Sequence, residues 1–132
     1  MLTKYQIIFF SILLIILLSA GCSSDNKPSA AIAVEQYYQA LVEKDENKMI
    51  NLSCAAWEPD AKLMYDSFAA VNLTLDNLSC QQTGEDDKRL VSCSGVLIAS
   101  YGAENLEIDI AERTYVVINE GGEWRVCGFQ GE

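Results

Sequence analysis

Five cysteines and no histidine bound the chemistry open to this 132-residue chain. Lacking histidine, it lacks the commonest general base, and with it the Ser-His-Asp and Cys-His nucleophilic arrangements. Zinc is disfavoured too, because Cys54, Cys80, Cys93 and Cys127 are separated by 26, 13 and 34 residues, far from the close spacing of a metal knuckle. There is no glycine-rich phosphate loop, no CxxC pair and no calcium loop. Glu85-Asp86-Asp87 lacks the spaced ligands of such a loop and reads as a solvated turn. What remains is carboxylate and tyrosine chemistry. Asp66 and Asp109 are the aspartates with the most apolar sequence neighbours, and Asp109, alternating with Ile108 and Ile110, points to solvent if that stretch is a strand. No catalytic constellation, metal or cofactor is expected.

Seven aromatic residues could do binding work instead. Tyr37, Tyr38, Trp57, Tyr65, Tyr101, Tyr115 and Trp124 could line a cavity between helix and sheet, with hydroxyls or indole N–H groups orienting a ligand. The competing reading is that they are the core of a domain of about 100 residues, which has little volume to leave empty. Core is the stronger expectation.

The elements that would position these residues follow from periodicity. Ala33, Val34, Tyr37, Tyr38, Leu41 and Val42 recur at helical spacing after a Ser29 N-cap. Asp45 can cap a second helix carrying Met49, Ile50 and Leu52, and Pro59 can open a third whose face is Ala61, Met64, Tyr65 and Phe68. After Asn72 the period changes to two. Strands are expected at about 73–82, 89–101, 106–119 and 123–129, with turns at Thr83–Lys88 and Glu120-Gly121-Gly122. Helices followed by an antiparallel meander make an α+β pattern.

Two stretches carry resemblances. Residues 5–20, YQIIFFSILLIILLSA, follow the lone Lys4 without a charge, and are short for a spanning helix. The segment closes on Leu18-Ser19-Ala20-Gly21-Cys22, which resembles the lipobox of bacterial lipoproteins. Ser19 stands where that family most often has leucine. The resemblance implies that residues 1–21 are a signal peptide, that the Cys22 thiol carries a diacylglyceryl group, and that residues 22–29 form a lipid anchor and polar tether before a domain at 30–132. Two acyl chains suffice for stable anchoring, at about 0.8 kcal/mol per buried methylene. The implied location is the bacterial cell envelope, on the outer face of the membrane or, in a two-membrane host, the periplasmic face of the outer membrane. Ser23 and Ser24 after the cysteine resemble the outer-membrane pattern.

The stretches AVEQYYQALVEKDENKMINL and GGEWRVCGF are similar to the opening and closing of the nuclear transport factor two-like superfamily, whose fold is cystatin-like. That resemblance implies N-terminal helices packed on a curved four-stranded antiparallel sheet. Its enzymes, such as ketosteroid isomerase and the polyketide cyclases, use an Asp or an Asp–His pair with Tyr donors, and here the histidine half of such a pair is missing. The expected role is a non-enzymatic binding or accessory domain, making protein–protein contact or capturing a ligand near the membrane. The alternative is a cavity enzyme acting on an apolar small molecule. A homodimer through an exposed sheet face is a further expectation from the superfamily.

Assigning Cys22 to lipid leaves four cysteines, an even number in an exported domain, where disulfides are the default. Sequence alone leaves all three pairings open. Hairpin geometry favours Cys80–Cys93, facing each other across adjacent strands, which leaves Cys54–Cys127 to close a loop of about 70 residues. Loss of residues 1–21 removes one lysine and no acid, leaving 8 basic and 19 acidic side chains and a net charge of −11. Such a chain repels nucleic acid, and its acidity reads as a solubility device. The triplets at Asn51, Asn72 and Asn77 fit the N-glycosylation pattern and read as coincidence in a bacterial chain.

Overall fold

The computed structural model describes residues 29–130. The signal-peptide and Cys22 assignments lie outside them. Helix α1 (Ala30–Glu43) begins where the Ser29 side chain accepts from the Ile32 N–H and ends at Lys44, held in the left-handed region at φ 61°. Its stripe of Ala33, Val34, Tyr37, Tyr38 and Leu41 is buried. Asp45 caps the short helix α2 (Glu46–Asn51) by accepting from the Lys48 N–H at 3.0 Å, and α2 buries Met49. Pro59 lies in the first turn of α3 (Glu58–Phe68), of which Ala61 is fully buried. Lys44 ties the α1–α2 corner to α3, because its Nζ donates to the Phe68 carbonyl while the Tyr65 hydroxyl donates to the Lys44 carbonyl at 3.0 Å.

Five strands follow, not four. They are β1 (Asn72–Thr83), β2 (Lys88–Tyr101), β3 (Glu104–Asp109), β4 (Thr114–Glu120) and β5 (Glu123–Gln130), all antiparallel. The expected single strand at 106–119 is divided into β3 and β4, which lie one after the other along the same edge of β2. A 3-10 turn at Ile110–Glu112 separates them, started by the Asp109 carboxylate accepting from the Ala111 N–H at 2.8 Å. Only one residue is gained: four residues separate Asp109 from Thr114, whereas three separate their partners Val96 and Ser92. Ile110 is buried in the core at 1% exposure, and the inward positions pass from even numbers before the turn to odd ones, Tyr115 and Val117, after it.

Two bulges bend the sheet around α1. In β1, Asn77 and Leu78 stand against Gly95 alone, and in β5, Cys127 and Gly128 stand against Val116. The second bulge leaves Tyr115 and Phe129 directly opposed and brings the Trp57 ring over Gly128, where a Cβ would lie 3.3 Å from it.

Edges are closed by different means. Leu52–Cys54 runs parallel to β5: the Val126 N–H donates to Leu52 at 2.7 Å and the Cys54 N–H to Val126 at 2.9 Å. The Cys54–Cys127 disulfide, with Cα atoms 5.3 Å apart, holds that contact. Its separation of 73 residues gives about 4 kcal/mol in the chain-entropy picture. Along β1 the Glu35 carboxylate accepts from the Cys80 N–H at 2.9 Å. Cys80 bonds to Cys93, its partner in register, at a Cα separation of 4.0 Å. The outer edge of β3 carries exposed Glu104, Glu107 and Asp109, the charged kind of edge that resists pairing with another chain.

Gly95 is the residue on which the first bend turns. It has φ +124°, and a Cβ there would lie 2.9 Å from backbone atoms of Asp76 and Leu78. Gly95→Ala is expected to cost about 2–3 kcal/mol in denaturant unfolding, from the combined strain of conformation and backbone collision. An unchanged midpoint would refute this.

Candidate functional site

The aromatic residues divide into a buried group and an outlying one. Tyr37 and Tyr38 are adjacent on α1, and Tyr115 meets Tyr38 from β4; each is 1% exposed. The Tyr38 and Tyr115 hydroxyls hydrogen-bond each other, with the rings edge-on at 5.8 Å between centroids. Trp57 reaches this group from the start of α3, and its Nε1–H donates to the Tyr37 hydroxyl at 3.3 Å. The Tyr37 hydroxyl in turn points its proton at the Met64 sulfur, 3.8 Å away. These four aromatics converge on the concave face of the sheet. Tyr65 is spent on the α1–α2 corner, Tyr101 stands 49% exposed at the end of β2, and Trp124 lies at the start of β5.

Burial dominates the acid–base behaviour of the group. It raises the Tyr37 hydroxyl from its ordinary 10.0 to about 12, against the stabilising donation from Trp57. Burial also pushes Tyr115 up, the neighbouring Tyr38 adds to that, and the positive charge of Arg113 opposes it. Arg113 holds its guanidinium carbon 4.4 Å from the centre of the Phe129 ring. The Tyr37 and Tyr115 hydroxyls therefore stay neutral in ordinary buffers; Tyr115 hydrogen-bonds Tyr38, and Tyr37 is engaged with Met64 and Trp57. Among the described residues no carboxylate is buried beside them: Asp66 is exposed and paired with Lys62 at 3.2 Å, and Asp109 is exposed and caps the 3-10 turn. Among the described residues no group of three or more Cys, Asp or Glu side chains is placed to hold a metal ion.

Open space lies elsewhere. A groove of about 860 Å³ runs between the beginning of α1, helix α2 and the beginning of β5. Its walls include Ile32 and Gln36 from α1, Asn47 and Asn51 from α2, and Trp124 and Arg125 from β5. Of the seven aromatics marked in the sequence, only Trp124 lines it. The amides carried no sequence signal, because a planar amide on a helix's polar face looks like any solvated side chain. Only the approach of β5 to α2 brings them to one indole.

No protein-family profile matches the sequence, and no curated protein is similar enough in sequence to count as a relative. Solved structures do share the fold. A provisionally assigned ketosteroid isomerase from Shewanella frigidimarina superposes with a TM-score of 0.58 at 17% identity, covering 79% of this chain and 95% of that one. A provisionally assigned dehydratase of the nuclear transport factor two-like family from Streptomyces avermitilis gives 0.55 at 11% identity, over 75% of this chain and 90% of the other. The helical cell shape determining protein of Campylobacter jejuni gives 0.50 at 10% identity; the match covers 74% of this chain but 38% of that longer one. The architecture is thus that of the nuclear transport factor two-like fold.

The Tyr38–Tyr115 contact makes a signed prediction. Tyr115→Phe strands the Tyr38 hydroxyl and is expected to cost about 1–3 kcal/mol, whereas Tyr38→Phe with Tyr115→Phe removes both polar atoms and should recover most of that loss. Additive losses in a double-mutant cycle would count against it. Tyr37, like Tyr115, contributes to the loss of stability at alkaline pH. Because its folded pKa lies above its unfolded one, its contribution is complete below about pH 10 and is lost as pH rises through about 12. Tyr37→Phe should therefore flatten the fall in stability over that interval, followed by near-ultraviolet circular dichroism at constant temperature.

Proposed function

We propose that this chain is a lipid-anchored protein of the bacterial cell envelope whose domain binds a ligand or partner without converting it. The observation that carries the binding half is the filled concave face. Tyr37, Tyr38 and Tyr115 occupy the space between α1 and the sheet at 1% exposure each, so an apolar substrate has no volume there, while the open groove lies outside that face. The match to part of the longer Campylobacter jejuni cell-shape protein supports an accessory role, since there the same fold accompanies other chain.

Support for the anchored half is the lipobox-like Leu18–Cys22 segment after an uncharged apolar run. Among the described residues no helix is long and apolar enough to cross a membrane. Attachment through two acyl chains on Cys22 would place the domain just beyond the headgroups on a tether of about eight residues. Its partner is an envelope protein or a small ligand met at that surface.

The second reading, a cavity enzyme acting on an apolar small molecule, draws on the neighbours named as an isomerase and a dehydratase. It requires the tyrosine cluster to part and a base to enter. Shared fold does not by itself carry activity across.

Full-length protein produced in a bacterial host should fractionate with membranes and show the mass of a diacylglyceryl-modified Cys22 at its N-terminus. Cys22→Ser should abolish both the acyl mass and detergent-phase partitioning. A wild-type protein recovered in the aqueous phase without acyl mass would overturn the anchored reading.

A further inference from the structure

The groove between α1, α2 and β5 combines paired charges with side-chain amides. Its charges are already matched. Arg125 pairs with Glu123 at 2.6 Å and with Glu120 at 3.4 Å, and it also donates to the Asn51 carbonyl. Lys48 pairs with Glu43 at 3.3 Å, and Asp45 caps α2. The side-chain amides are in the opposite condition. Outside the groove Gln39, Gln82, Asn77 and Asn119 hydrogen-bond within the domain, while Asn72, Gln81, Asn105 and Gln130 make no side-chain hydrogen bond within the described residues. Gln36, Asn47 and Asn51 make no side-chain hydrogen bond within the described residues, and all three line the groove with Trp124.

Trp124 is held from behind. The Arg89 guanidinium carbon lies 5.2 Å from the centre of the indole, a cation–π distance that fixes the plane of the ring. The indole N–H has no partner within the described residues. The site thus offers one fixed aromatic surface, an indole donor and three amides, each carrying an acceptor oxygen and two N–H donors.

We infer that this groove binds a neutral carbohydrate, with a pyranose ring against Trp124 and its hydroxyls held by Gln36, Asn47 and Asn51. The inference rests on the binding reading above and names its ligand class. The chemistry selects among ligands. A hydroxyl is donor and acceptor at once, as a primary amide is, whereas the C–H face of a pyranose suits an indole. An anion would have to break the Arg125 or Lys48 pairs in a chain of formal charge −10, which repels it. An apolar ligand would bury the three amides without partners.

The test is isothermal titration of detergent-solubilised full-length protein with triacetylchitotriose, maltotriose and cellotriose in turn, with inorganic phosphate as the anionic comparison. At least one trisaccharide should bind saturably at one site. Gln36→Ala and Asn51→Ala, both at the surface, should each weaken it about fivefold, with the melting temperature unchanged. No heat from any trisaccharide at millimolar concentration would overturn the inference. So would binding undiminished in the double variant, or phosphate binding in the sugars' place. Membrane retention measured on the same preparation reports separately on the anchored reading, so the two can fail independently.

Discussion

The hydrogen bond between the Tyr38 and Tyr115 hydroxyls is the constraint around which the domain is arranged. Both side chains are fully enclosed, so each hydroxyl must find a partner inside the protein or leave a costly unpaired group. Their meeting fixes the rotation of α1 about its axis and its height above β4. Once α1 is so placed, Tyr37 faces Trp57 and Met64, and the concave side of the sheet is filled. The concave side of the sheet surrounds the chain's own aromatic side chains.

Curvature and closure serve that packing. The bulges opposite Gly95 and at Cys127-Gly128 bend the sheet toward α1, and the second sets Phe129 against both Tyr115 and Trp57. The Cys54–Cys127 bridge then fastens the α2–α3 connection alongside β5, at the level where Trp57 enters the core. A domain of this size has a small apolar core relative to its chain entropy, and two covalent links narrow the unfolded ensemble it must outweigh. Charge works in the other direction. The acidic excess keeps the open edge of β3 unattractive to a second strand while adding little to internal stability.

With the concave face occupied, the open groove lies on the outer surface. The groove beside α2 owes its form to the β5 edge, where Leu52–Cys54 brings Asn51 within reach of Arg125 and Trp124. Neighbours at 10–17% identity share the backbone arrangement, and function is decided by side chains rather than by fold. The side chains that line the groove include three planar amides and one indole.

Local chemistry was legible in the amino-acid sequence wherever a single interaction decided it. Ser29 and Asp45 cap helices because a side-chain oxygen two or three residues before a free N–H needs no distant partner. The change of period at Asn72 separated helices from sheet, and the spacing of Cys80 and Cys93 about a polar turn made them register partners. The break between β3 and β4 was missed, since Leu106, Ile108 and Ile110 alternate up to the turn and the strand-like run of Thr114–Ile118 follows it closely; its one trace is the shift of inward positions from even to odd. Which aromatics meet was likewise undetermined: Tyr101 and Tyr115 look alike in sequence, and only the strand's length past the helices leaves one in solvent and the other at the centre. The groove depends wholly on tertiary structure, because Gln36, Asn51 and Trp124 belong to three elements whose approach is set by sheet curvature and a disulfide, terms that no local pattern contains.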